Sequence, residues 1–163
     1  MNKKKLIFSY VLQALALATM FIMLMPIVKV YGSTMVVFQI VLDIEKWYFM
    51  EEYLFGIAGL ITIISMPLLL IGAELCKLSA CGVIKSKKFD LIVYIVNIVL
   101  AALTVGVIVN YFLGLGRTIG MSGLKLFKGE TMFKYATAFF YIHCVLSIGA
   151  LVVACLNIPK KSK

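Results

Sequence analysis

Residues 91–113 read LIVYIVNIVLAALTVGVIVNYFL, 23 positions without an Asp, Glu, Lys or Arg. A helix needs about 20 apolar residues to cross the hydrocarbon core of a bilayer. Lipid offers the backbone no hydrogen-bond partner, so such a run must be helical. Three further runs have the same character, residues 6–28, 54–73 and 136–158. The first is interrupted only by Ser9, Tyr10, Gln13, Thr19 and Pro26.

Working outward from these runs, 63% of the 163 residues are apolar and 14% are charged. A soluble domain averages about half apolar and a quarter charged. The excess cannot be hidden in one small core, which excludes an ordinary soluble globule, and the hydrophobicity excludes disorder. The expected fold is all-α, an integral membrane four-helix bundle, with residues 1–163 as a single transmembrane domain.

The charges between the runs orient it. Lys3, Lys4, Lys5, Lys77, Lys85, Lys87, Lys88, Lys160, Lys161 and Lys163 fall on one side, with only Glu74 and Asp90 as acids. The other side carries Lys29, Lys46, Arg117, Lys125, Lys128 and Lys134 against Asp43, Glu45, Glu51, Glu52 and Glu130. The net split is +8 against +1. Basic loops stay cytoplasmic, so both termini are expected inside the cell membrane, and an even number of spans agrees. This explains the overall charge of +9 without a nucleic-acid partner. A secretory signal peptide is the rival reading of the first run, since Ala14-Leu15-Ala16 resembles a cleavage site. The apolar stretch continues to Val28, well beyond a signal core of about 7–15 residues, so an uncleaved span is expected.

The first outer segment, 29–53, is unusually apolar. Gly32-Ser33 reads as a turn. Residues 38–53 then interleave acids and Lys46 with aromatics, among them the single tryptophan, Trp47. That pattern predicts a short amphipathic segment at headgroup level or across the tops of the spans. Phe38, Trp47, Tyr48 and Phe49 are its candidate partner contacts. The second outer segment, 114–134, is punctuated by five glycines. The inner connection, 74–90, is short.

Polar residues within spans are the candidates for function. His143 is the only histidine and lies about 10 Å below the outer surface at 1.5 Å per residue. Gln13, Asn97 and Asn110 are the other polar intramembrane candidates. Asn97, Ala101 and Thr104 share a helix face, and Ser147, Ala150 and Ala154 form a small-residue stripe that favours close helix packing. Met20, Met23 and Met25 near His143 and Cys144 are soft donors of the kind that hold Cu(I), but no recognised spacing is present and no metal or cofactor is expected.

The chain resembles the four-helix disulfide-generating membrane enzymes in span count alone. Cys76, Cys81 and Cys155 fall at the inner end, where that family's outer redox pair would not be. It also has the length of small membrane aspartyl peptidases, yet Asp43 and Asp90 fall on opposite sides. No nucleophile–base pair can be assembled from one histidine.

The expected function is non-enzymatic, an accessory subunit or immunity-type protein of a bacterial envelope assembly, with the bilayer and another membrane protein or a second copy as partners. One alternative is a small homo-oligomeric transporter or channel, opposed by the absence of charge within the spans. Another is a lipid-acting membrane enzyme with His143 as base.

Overall fold

The structure is a computed structural model and describes residues 3–30, 33–36, 53–118 and 136–158. Four helices form it: α1 (Lys3–Ile22), α2 (Tyr53–Cys81), α3 (Lys87–Thr118) and α4 (Ala138–Leu156). Each is long and apolar enough to cross a membrane. The chain is thus a multi-pass membrane protein built as an all-α bundle. Helix α1 packs against α2 and α4, and α3 packs against the same two. This is the four-cornered arrangement of an up-down bundle with sequential neighbours in contact.

The helix bounds differ from the apolar runs for local reasons. Helix α1 stops at Ile22, not at Val28. Leu24 N–H and Met25 N–H bond three residues back, to Phe21 and Ile22, which tightens the last turn, and Pro26 disfavours helical backbone at the residue before it. The chain then enters a small antiparallel ribbon, β1 (Val28–Val30) with β2 (Ser33–Met35), in which Val28 pairs with Met35 and Val30 with Ser33. Ser33, expected in the turn, therefore begins β2. β-Branched Val28, Val30 and Thr34 suit this ribbon.

Helix α2 runs unbroken through Pro67 and on to Cys81, so Glu74 and Lys77 are helical and not in a loop. It ends at Gly82, whose φ of 85° is the left-handed conformation open to glycine. Gly82 N–H bonds the Ser79 carbonyl and Val83 N–H bonds that of Leu78, the paired bonds of a Schellman end. Four residues later the Ser86 hydroxyl accepts from Phe89 N–H and caps α3. The inner connection shrinks to residues 82–86. Helix α3 continues past Leu113 to Thr118 and takes up Gly114 and Gly116. The amphipathic segment with Phe38, Trp47, Tyr48 and Phe49 lies outside the described residues, as does most of the second outer segment. Asn110 belongs to α3, but its side chain is also outside the description.

The buried faces follow the helical repeat. On α1 they are Lys5, Ser9, Leu12, Ala16 and Thr19. On α4 they are Phe140, His143, Ser147, Ala150 and Ala154. Both sets are spaced alternately three and four, the seam of a left-handed bundle. Helix α2 lies tightly against α3 at Gly72, where a Cβ would fall 1.9 Å from Asn97 Oδ1. Gly106 of α3 faces open space. Gly72→Ala is expected to lower unfolding stability in micelles by about 1–3 kcal/mol, whereas Gly106→Ala stays within about 0.5 kcal/mol. Equal effects in denaturant titrations would contradict this packing.

Candidate functional site

Cross-helix contacts set the register of the bundle. Asn157 Nδ2 donates to Ser9 Oγ at 3.2 Å, which ties the inner end of α4 to α1. At the outer end, Thr137 N–H donates to the Ile27 carbonyl at 3.1 Å, and its hydroxyl donates to the Pro26 carbonyl. Thr137 and Asn157 are therefore separated by about 30 Å at 1.5 Å per residue, one hydrocarbon thickness. Gln13 Nε2 donates to Glu74, which aligns α1 with α2. Asn97 Nδ2 reaches Cys76 Sγ at 3.4 Å, which aligns α2 with α3.

This register sorts the interior into layers. The outer layer holds His143, Ser147, Thr19, Thr62, Ser65 and Thr104, all buried. Two of its hydroxyls are turned to their own helices: Thr19 donates to the Leu15 carbonyl at 2.8 Å and Thr104 to that of Ala101 at 2.7 Å. His143 is fully buried, and neither ring nitrogen has a hydrogen-bond partner among the described residues. Ser147, one turn away on the same face, is likewise unpaired. His143 thus forms no interhelical hydrogen bond among the described residues.

A middle layer is apolar. Ala16 of α1, Leu69 and Ala73 of α2, Ala101 of α3 and Ala150 of α4 are each fully buried at that level, with Leu12 beneath them. An alanine on each of the four helices lets the backbones approach closely, as small residues do in membrane bundles.

The inner layer is polar again. It comprises Ser9, Cys76, Asn97 and Asn157. The Oδ1 atoms of Asn97 and Asn157 are buried and unpaired. Tyr94 OH donates to the Cys155 carbonyl nearby at 3.1 Å. Beyond this layer Lys5 forms an ion pair with Asp90 and also donates to Ser79 Oγ at 3.1 Å. Their side chains are only 4% and 14% exposed. One cluster so joins α1, α2 and α3. Asp90 also stands in the first turn of α3, where a negative charge complements the helix dipole.

Of the residues singled out in the sequence, Asn97 and His143 are buried in different layers, and Gln13 is turned toward Glu74 on the α1/α2 side. They do not converge on one centre. Sequence reasoning missed the Lys5–Asp90 pair, having read both as topology charges. The signal was present: Lys5 precedes Ser9 and Leu12 by four and seven, and Asp90 precedes Val93 and Asn97 by three and seven, which puts each charge on its helix's buried face. It also counted Glu74 and Lys77 as loop charges. No group of three or more His, Cys, Asp or Glu side chains that could hold a metal ion occurs among the described residues.

Comparison with protein families, curated proteins and solved structures found no match for this chain.

Breaking a buried pair strands a charge, at a cost of about 3–5 kcal/mol, whereas replacing both members by apolar residues is often near neutral. Asp90→Leu is accordingly expected to destabilise the bundle by about 3 kcal/mol, and Lys5→Met/Asp90→Leu to recover most of that loss in the same unfolding assay. His143→Leu removes two buried, unsatisfied nitrogens and is expected to raise stability by about 1 kcal/mol. A large loss from that substitution would show that His143 holds a partner.

Proposed function

We propose that this protein is a non-enzymatic, multi-pass helper of the bacterial cell membrane, an accessory subunit or immunity-type component of an envelope assembly, with both termini in the cytoplasm. The observation that carries this reading is the sealed middle of the bundle. The layer of Ala16, Leu69, Ala73, Ala101 and Ala150 lies between the two polar layers. A solute crossing through one copy would have to part it. Conduction needs binding groups that hand the solute on, and here the polar groups are interrupted by that apolar layer. The apolar sequence of the first outer segment, with Phe38, Trp47, Tyr48 and Phe49, is the proposed contact for a protein partner. The basic flank, with Lys85 between α2 and α3 and Lys87 and Lys88 in the first turn of α3, supports the orientation.

Transport by an oligomer is the second reading. The unpaired atoms of His143, Ser147, Asn97 and Asn157 favour it, because buried polar groups without partners mark places where water or a solute enters. Two experiments separate the readings. Purification from native membranes in nanodiscs, followed by mass spectrometry, is expected to return a stoichiometric foreign protein. Purified chain in liposomes is expected to be tight to ions and small polar solutes. Flux that His143→Ala or Asn97→Ala abolishes would reverse the ranking.

Sidedness has its own test. Cys81 at the end of α2 is exposed and lies next to the turn at Gly82. A membrane-impermeant maleimide is expected to label it in inside-out vesicles and not in intact cells. Labelling of Cys81 in intact cells would overturn the orientation.

A further inference from the structure

The outer half of the bundle buries two polar side chains that nothing nearby satisfies. His143 and Ser147 are both 0% exposed, and neither the ring nitrogens nor the hydroxyl has a partner among the described residues. Ser147 could bond within its own helix. The Ser9 hydroxyl donates to the carbonyl four residues back, and so does that of Thr19. Ser147 does not take the equivalent carbonyl, that of His143, so its hydroxyl stays uncommitted.

The register of α1 against α4 shows what stands opposite. Asn157 meets Ser9 and Thr137 meets Ile27. Between them Gly149 lies against Leu15, whose methyls would be 3.7 Å from a Cβ at that glycine. These three contacts put Ser147 level with residues 17–19 and His143 level with residues 21–23. The buried side chains in those ranges are Thr19 and Met23. Thr19 gives its hydrogen to the Leu15 carbonyl and keeps its oxygen lone pairs. Met23 offers only a thioether, a weak acceptor.

A neutral imidazole has one donor and one acceptor in either tautomer, and a hydroxyl is both. A ligand held between them must therefore give and receive hydrogen bonds. It must be neutral, because the four apolar runs hold no Asp, Glu, Lys or Arg to balance an ion. It must also be small, because the side chains around it are fully buried. Water meets all three conditions, and a buried water joins about two to four polar groups that are otherwise unsatisfied. We infer that an internal water sits between His143 and Ser147, with one hydrogen bond to the imidazole, one to the hydroxyl, and the Thr19 oxygen as a third partner. One water serves one ring nitrogen and leaves the other bare. The imidazole so remains a net cost to stability, in keeping with the gain expected of His143→Leu. The site lies above the apolar layer and does not breach it, so it is independent of the reading of this chain as a helper.

His143 is the only histidine, so isotopic labelling of histidine nitrogen reports on one ring. The test is solid-state NMR of the full-length chain, deuterated at carbon, in vesicles of deuterated phosphatidylcholine. Magnetisation is transferred from water protons to the labelled nitrogens. The ring is expected to receive it ahead of the His143 backbone nitrogen, which belongs to helix α4. Ser147→Ala removes one of the water's partners and leaves a small residue, like Ala150 and Ala154 on the same stripe. It is expected to keep its helical content by circular dichroism and to lose most of the transfer to the ring. A wild-type ring that receives magnetisation no faster than the backbone nitrogen overturns the inference and leaves the imidazole dry. A ring cross-peak to another protein group overturns it too, as does transfer that Ser147→Ala leaves unchanged.

Discussion

Hydrocarbon cannot hydrogen-bond, and the rest of this structure depends on that. Each backbone amide crossing the membrane must be satisfied within its own helix, so the described residues that cross the slab do so as four continuous helices. The same constraint acts on side chains. Ser9, Thr19, Asn97, Thr104, Ser147 and Asn157 are all turned inward, while most of the exposed large side chains are leucine, isoleucine and valine. The bundle is in this respect reversed from a soluble protein, with its hydroxyls and carboxamides in the core and its largest apolar surfaces outside.

Turning polar groups inward does not by itself pair them. Ser9 receives Asn157 and returns its own hydrogen to the Lys5 carbonyl, a satisfied junction of α1 and α4. His143 and Ser147 receive nothing among the described residues. The contrast is one of depth. Near the inner end, long side chains on α1, α2 and α3 reach one another, and Lys5, Ser79 and Asp90 share a site. In the outer half, Thr19 and Thr104 bond back to their own helices, and neither His143 nor Ser147 finds a partner among the described residues.

The alanine layer is the mechanical counterpart of these polar layers. Without a hydrophobic force between helices in lipid, contact relies on close van der Waals packing, which small residues permit. Leu69, Ala16, Ala101 and Ala150 belong to one buried apolar cluster, and Gly72 allows Asn97 to lie against α2. The bundle is held in the middle by shape and at its inner end by hydrogen bonds and an ion pair. This division explains why the ends carry the specific contacts and the middle carries none.

Composition and run length were enough for the number of helices and their membrane character, because crossing 30 Å of hydrocarbon imposes a length and an apolarity that no other fold requires. The three–four spacing of Ser147, Ala150 and Ala154, and of Asn97, Ala101 and Thr104, also made those buried faces legible. Helix ends were less so. Pro26 cut α1 short through a steric rule, while the glycine end at Gly82 let α2 carry Glu74 and Lys77 past the last apolar residue. Only the tertiary structure decided which charges meet. Lys5 and Asp90 are 85 residues apart, and Gln13 and Glu74 are 61 apart. Helical periodicity says which face a side chain occupies, but not which face of another helix lies opposite or at what height. That register comes from the packing of all four helices at once.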